Sequence, residues 1–280
     1  MGWVRDNFEH TWLHARLSVW TKKDFQMFSR RYSLKALAAA ALVPTAARSA
    51  VSDAKIKPIR LVVLDVGGTL IEDHGEVPEA MHNALTKRGV DVGFAEIGEW
   101  RGASKRGMVR HFVELRKIAQ PNREALIAAI YDDFSRQVNA AYADVRAIAG
   151  AQDCIRSLRA AGFLVATSTG FDRPLTDKVF AHLGWRDYFV ATVTGDDVVD
   201  GRPSPFMLFH AMEAAHVDAV AEVVAVGDTP LDLQAGANAG LRGVIGVTSG
   251  AATEERLRKE PYTHILPSVA ELPDLLRAKF

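Results

Sequence analysis

The sequence predicts an α/β protein built on a parallel sheet, and three observations carry that prediction. Five short β-branched runs recur along residues 59–248: "IRLVVLDV", "GFLVATST", "FVATVTG", "EVVAVGD" and "RGVIGVT". Continuous apolar runs of this length mark strands buried on both faces. Helix-period stretches lie between the later ones: "AQDCIRSLRAAG", "PLTDKVFAHLG", "PFMLFHAMEAAHV" and "LDLQAGANAG". Strands alternating with helices of this length imply βαβ units. Finally, polar residues cluster where the strands end, at Asp65, Thr169, Gly195-Asp196-Asp197 and Asp228. Ligands of parallel sheets sit beyond those carboxyl ends.

Taken in order, the chain opens with two segments that do not fit this pattern. Residues 1–26 hold Trp3, Trp12 and Trp20 among mixed charges and suit neither a domain nor a leader. A start codon placed too far upstream would explain them, since Met27 stands just before the next segment. Residues 27–54 have the layout of an export signal: Arg30-Arg31, an apolar stretch from Ala36 to Val43, then Pro44 and a series of small residues. The run Ser29-Arg30-Arg31-Tyr32-Ser33-Leu34-Lys35 resembles a twin-arginine signal, which implies the twin-arginine export machinery as a partner and a periplasmic or exported location. The competing reading is an Ala-rich surface helix, with the protein in the cytoplasm.

Residues 55–75 carry the first strand. Residues 76–146 then break the alternation with three helical patterns: "PEAMHNALTKRG", "ASKRGMVRHFVELRKIA" and "REALIAAIYDDFSRQVNAAYADV". In the last of these, Leu126, Ile130, Phe134, Val138 and Tyr142 recur every fourth residue and form one apolar stripe. Asp132-Asp133 fall beside it and are expected on its solvated face. Residues 147–280 return to alternating strands and helices. The expected architecture is a Rossmann-like parallel sheet core, residues 55–75 and 147–280, with a small helical cap domain, residues 76–146, inserted after the first strand.

Composition narrows the function classes. The 280 residues carry 34 basic and 34 acidic side chains, so no charge excess favours nucleic acid or an anionic surface. The single cysteine, Cys154, excludes an internal disulfide and a cysteine-built metal site and is expected in packing. No apolar run approaches the ~20 residues that span a bilayer. His74, His82, His111, His182, His210, His216 and His264 show no metal-ligand spacing and read as surface or packing residues. Met207 and Met212 read as core.

Asp65, Thr169, Arg202 and the pair Asp228/Asp232 come from separate strand ends or loops. Together and in this order they resemble the haloacid dehalogenase superfamily, over residues 59 to about 275. The resemblance implies that Asp65 is a nucleophile that takes a phosphoryl group. It implies a Mg²⁺ site formed by Asp65, the backbone carbonyl of Gly67, Asp228 and Asp232, the last either binding the ion or orienting a ligand water. Hard oxygen ligands suit that ion. Gly68 and Thr69 make the turn after Asp65, Thr169 donates its hydroxyl to a phosphoryl oxygen, and Arg202 holds the phosphoryl group with its fork. Pro230 suits the first turn of a helix.

One feature of "LVVLDVGGTL" stands out. A second acid two residues after the nucleophile would protonate a leaving group, and this chain has Gly67 there. Phosphonatases also lack that acid. The "TSTGF" run Thr167–Phe171, which includes Gly170, matches the spacing of their second motif. "GRPSPFM" and "VGDTPLDLQAGANAG" follow their pattern too. In "RGASKRGMVRHF", Gly102 and Lys105 fall where that family has a glycine and the lysine that condenses with an aldehyde substrate. The resemblance thus gives Lys105 either an iminium-forming role or the simpler role of binding a substrate anion. An iminium-forming lysine needs a lowered pKa, from desolvation or from a cation such as Arg101 or Arg106. The chain departs from the family pattern at Arg101, Met108 and Phe171, where phosphonatases have methionine, histidine and tyrosine.

The expected activity is cleavage of a small phosphonate or phosphomonoester. The rival readings are a phosphoglycolate phosphatase-like enzyme without Schiff-base chemistry and a non-catalytic phosphate-binding protein. A homodimer is left open. The export expectation is tested in the native host: Arg30→Lys with Arg31→Lys should retain the protein in the cytoplasm, and mature wild-type protein should begin near residues 47–55. An N-terminal sequence that still includes Arg31 would remove the processing claim.

Overall fold

The computed structural model describes residues 57–117 and 122–280. The segments 1–26 and 27–54, with their tryptophans and paired arginines, lie outside the described residues. In chain order the structure gives β1 (Leu61–Leu64) and then four helices, α1 (Glu76–Lys87), α2 (Phe94–Glu99), α3 (Lys105–Leu115) and α4 (Arg123–Ala141). There follow α5 (Ala151–Ala160), β2 (Leu164–Ser168), α6 (Arg173–Leu183), β3 (Ala191–Val193) and α7 (Phe206–Ala214). The chain ends with β4 (Val223–Gly227), α8 (Pro230–Asn238), β5 (Gly243–Val247), α9 (Glu254–Leu257), β6 (His264–Leu266) and α10 (Leu272–Lys279).

The six strands form one all-parallel sheet in the order β3-β2-β1-β4-β5-β6. β1 sits between β2 and β4, with Leu61 paired to Leu164 and Val223, and Leu64 to Thr167 and Val226. All four β1 residues are buried because helices cover both faces. Alternate side chains enter opposite cores. Leu61 and Val63 join Met207, Met212 and Leu233, while Val62 and Leu64 join Ile155, Leu158, Leu272 and Leu276. Cys154 packs in the second of these cores, and Met207 and Met212 in the first, as expected.

The sixth strand was not expected. β6 has three half-buried residues at the sheet edge, between Pro261 and Pro267, too short to show a period. Nor was α2, a six-residue helix containing Gly98.

The insert between β1 and α5 is helical throughout its regular elements. Leu126, Ile130, Phe134 and Val138 line the buried face of α4, and Tyr142, in the single 3₁₀ turn after it, is buried too. The reading of Asp133 needs correction. Asp132 is exposed, but Asp133 is only 3% exposed. It lies against α1, whose last turn brings Lys87 Nζ to 3.2 Å and Arg88 Nη2 to 2.8 Å, while Arg136 covers it from its own helix. Long side chains from a neighbouring helix can bury a carboxylate that the helical period places at the edge of a stripe.

Two crossings link the insert to the sheet, and they are joined to each other. Glu72 N donates to Arg146 O at 2.9 Å, and Ile148 N donates to Leu70 O at 2.9 Å.

Phe134 is among the largest fully buried side chains. Phe134→Ala should cost about 3–5 kcal/mol in denaturant unfolding, and Asp132→Ala within about 0.5 kcal/mol. Equal effects would show that the stripe is not what holds α4.

Candidate active site

The strand order reverses at β1, and a crevice opens beyond the carboxyl ends at such a reversal. Asp65 follows β1 directly, Thr169 follows β2 and Asp228 follows β4. Asp65 N donates to Val226 O at 2.9 Å, so the sheet ladder fixes the backbone of the candidate nucleophile. The turn after it brings Gly68, at φ +76°, against Asp228; a Cβ there would fall 2.3 Å from Asp228 Oδ2. Only glycine allows that conformation and that approach.

Arg202 organises the acids. Its guanidinium is buried, and Nη1 lies 2.7 Å from Asp65 Oδ1 and 2.8 Å from Asp232 Oδ1. Nη2 donates to Ser168 O at 2.6 Å and to Ser168 Oγ at 2.9 Å. Burial works against the charge, but Asp232 and Asp65 outweigh it and raise the arginine pKa further. Ser168 had not been singled out. Its one sequence signal is its place as the last residue of β2 within "TSTGF".

Asp232 is the third residue of α8 and completes a capping box: its Oδ2 accepts from Thr229 N at 3.0 Å and Thr229 Oγ1 at 2.5 Å. Pro230 occupies the first helical turn, as its fixed φ suits. With Oδ1 facing Arg202, both Asp232 oxygens are engaged. Asp228 Oδ2 accepts from Ala251 N at 2.6 Å, and Thr69 Oγ1 approaches Oδ1 at 3.4 Å.

Asp65, Asp228 and Asp232 each offer a carboxylate oxygen, all within 4.8 Å of one another. Burial, then the charges of Asp65 and Asp232, raise the Asp228 pKa well above the carboxylate range. Burial also lifts Asp232 to about 6, although Arg202 pulls it down. Three buried carboxylates are only partly balanced by one arginine, so a hard divalent cation fits here, and the all-oxygen donor set is of the kind such ions take. Asp65 and Asp228 are the better placed ligands, because Asp232 is already committed to Arg202 and Thr229.

The insert closes over this cluster. Gly102, Ala103 and Lys105 meet the sheet side at Gly170 and Thr229: Lys105 N donates to Gly170 O at 3.3 Å, and a Cβ at Gly170 would fall 2.3 Å from Ala103 O. Arg202 Nη1 also points to Gly102 O at 3.4 Å. The crevice beneath the insert has a volume of about 30 Å³ and is lined by Asp65, Gly67, Lys105, Thr169, Phe171 and Arg202, with Asp73 and Arg101 also on its wall.

Lys105 begins α3, after Ser104, whose side chain caps the helix by accepting from Gly107 N at 3.4 Å. The lysine is 6% exposed, and its Nζ donates to Ala103 O at 2.9 Å. Its pKa is lowered to about 8, chiefly by burial; Asp65 raises it, while Arg202 and then Arg101 lower it. The expected cationic help thus comes mainly from Arg202. Arg101 is ion-paired with Asp73, and Arg106 lies over the Tyr131 ring, 4.1 Å from its centroid. The structure brings Phe171, the last residue of the "TSTGF" motif, to the site, and also Asp73, which no motif marked.

Other candidates stay outside. Asp196 and Asp197 are exposed and bind Arg173 and Thr194. Among the described residues, no histidine lines the cavity. His82 stacks on Phe94 and His111 on Trp100.

Comparison with known proteins agrees with this fold. A family model described as haloacid dehalogenase-like hydrolase matches residues 59–240. A phosphonoacetaldehyde hydrolase of Bacillus cereus is 32% identical over 238 residues, covering 79% of this chain and 88% of that protein. A phosphonoacetaldehyde hydrolase like protein from Oleispira antarctica superposes with a TM-score of 0.69 at 24% identity, covering 80% of this chain and 93% of the other. A hydrolase from Pseudomonas syringae superposes with a TM-score of 0.70 at 17% identity, covering 79% and 99%.

Arg202→Met would leave two buried carboxylates without their partner, a change that costs about 3–5 kcal/mol. Denaturant unfolding in the presence of a chelator measures it, and adding a divalent cation should recover part of the loss. A cost below about 1 kcal/mol, within the range of a surface pair, would show that the acids do not depend on this arginine.

Proposed function

The chain belongs to the haloacid dehalogenase-like hydrolases, and from that premise we propose that it is a Mg²⁺-dependent phosphonatase-like enzyme acting on a small carbonyl-bearing phosphonate. One observation carries this reading. A buried lysine with its pKa lowered to about 8 lines one crevice with a strand-end aspartate, and the position two residues after that aspartate has no acid.

The chemistry follows from those groups. The neutral amine of Lys105 adds to the substrate carbonyl, and the carbinolamine takes up a proton and loses water, giving an iminium. Asp65 Oδ attacks phosphorus, the carbon–phosphorus bond breaks, and its electron pair passes into the iminium to form an enamine. Protonation of the enamine carbon and hydrolysis free Lys105 and the aldehyde or ketone product. Water then cleaves the acyl phosphate on Asp65. Arg202 and Thr169 hold the phosphoryl oxygens during transfer. Asp65, Asp228 and the Gly67 carbonyl would hold Mg²⁺, with Asp232 behind them, and the bound ion would neutralise charge on the phosphoryl group. Dry walls preserve the amine in its neutral form.

The phosphatase reading keeps the same phosphoryl site and leaves Lys105 as an anion-binding cation. It is the weaker one here: lacking a positioned general acid forfeits a factor of about 10²–10⁴ on unactivated esters. The N-terminal segment extends the proposal to location, with the enzyme acting in the periplasm or outside the cell.

Borohydride added with an aldehyde phosphonate should inactivate the enzyme and add mass at Lys105. Lys105→Arg keeps the charge and should lose phosphonate cleavage, and Asp65→Asn should lose all turnover. Because the amine reacts only when deprotonated, about a tenth is competent at pH 7 and half at pH 8. The rate should therefore rise with pH and level off above about 8. Activity retained by Lys105→Arg, with no adduct, would make the protein a phosphatase.

A further inference from the structure

Gly67 lacks an acid, and the structure gives the vacant side-chain position an occupant. We propose that Phe171 determines the specificity of this site: its ring fills the volume into which a residue-67 side chain would project, closing the site to acid-assisted phosphomonoester cleavage. The inference deepens the phosphonatase-like reading and rests on it for the native reaction.

The geometry is direct. Gly67 does not have a left-handed φ, so its backbone would accept any side chain. What opposes one is space. A Cβ on Gly67 would lie 3.2 Å from Phe171 Cζ and 3.8 and 3.9 Å from the two Cε atoms, so it would point at the tip of the ring. That contact is tighter than a Cβ ordinarily makes, so the ring must give by a few tenths of an ångström for any side chain, and a carboxyl group adds three more heavy atoms beyond it.

The ring is not placed to move. Phe171 is buried, and Tyr142, itself buried, packs on it with centroids 5.5 Å apart. Its backbone is held on both sides: Phe171 N donates to Thr169 Oγ1 at 3.2 Å, and Gly195 N donates to Phe171 O at 2.9 Å. Close-packed interiors relax only partly around such an insertion, so the crowding persists as strain.

The same ring also faces the amine. Lys105 Nζ lies 5.8 Å from the Phe171 centroid, and both residues line the one cavity. One side chain thus excludes a carboxyl from position 67 and supplies part of the apolar wall around Lys105. An acid at 67 and a dry amine beside it are alternatives in this architecture, and Phe171 selects the second.

The experiment uses the full chain with Mg²⁺ and compares wild type, Gly67→Asp, Phe171→Ala and the double variant. Each is assayed on an alkyl phosphomonoester and on p-nitrophenyl phosphate, whose leaving group needs no proton. The readout is the ratio of the two kcat/KM values, which a general change in folding or in Asp65 would not move. A positioned general acid contributes about 10²–10⁴-fold, so the ratio should rise at least about tenfold in the double variant. In either single variant it should change less than about threefold, because one lacks the room and the other the acid. A rise in Gly67→Asp alone that equals the double variant would overturn the proposal, as would no rise in the double variant.

Thermal unfolding gives a second test that needs no turnover. Gly67→Ala adds only the Cβ. It should lower Tm in wild type and leave it unchanged in the Phe171→Ala background. Equal losses in both backgrounds would show that the ring does not hold the space. If Phe171→Ala does not fold, Phe171→Leu removes Cζ and keeps an apolar side chain, and the same comparisons apply. Failure of the phosphonatase-like reading would appear separately, as wild type that cleaves no carbonyl phosphonate, with the position-67 results unaffected.

Discussion

The site depends on one buried arginine. Asp65, Asp228 and Asp232 are drawn together below the insert, and without a cation their mutual repulsion and desolvation would oppose folding. Arg202 reaches Asp65 and Asp232 with one nitrogen and Ser168 with the other. It therefore ties the end of β1, the end of β2 and the start of α8 to a single planar group. A lysine offers a point charge and could not span three elements with fixed geometry. The arginine is held as firmly by its partners as they are by it, so the Asp65 carboxylate is fixed by the protein itself.

Closure by the insert is built from several modest contacts rather than one strong interface. Tyr131 Oη donates to Asp172 Oδ2 at 2.5 Å, Lys178 Nζ donates to Asn139 O at 2.6 Å, and Arg256 pairs with Glu99 at the rim. Arg101 pairs with Asp73 at the cavity wall. The exposed Arg256–Glu99 pair is worth about 0–1 kcal/mol, so the partly buried contacts carry more of the arrangement. A cavity of about 30 Å³ holds little more than a water molecule. Loosening these contacts would widen the crevice for a substrate, and re-forming them would exclude water around it.

Much of this was legible in the sequence, because it rests on local rules. β1 reads as buried because all its residues are apolar, and the strand-end aspartates follow from strand positions. The stripe on α4 follows from helical period. What was not legible depends on partners distant in the chain. Asp133 read as solvated because its period gave no sign that Lys87, Arg88 and Arg136 would cover it. Ser168 was hidden inside a motif whose threonine drew attention, and only Arg202, from a separate loop, gives it a role. Desolvation of Lys105 was foreseeable and is the main cause of its lowered pKa, but the leading cation is Arg202, from a distant loop, rather than the neighbours Arg101 and Arg106. β6 gave no signal because a three-residue edge strand has no period to detect.

The two crossings between sheet and insert have a mechanical consequence. Residues 70–72 and 146–148 run side by side, joined by Glu72 N to Arg146 O and Ile148 N to Leu70 O, with a further antiparallel bridge between Ile71 and Ala147. Two separate linkers would let the insert swing in many directions. A hydrogen-bonded ribbon resists shear between its strands and yields mainly by bending and twisting as one strap. The helices are thereby confined to a narrow family of paths, and each return carries Lys105 to the same register over the end of β1.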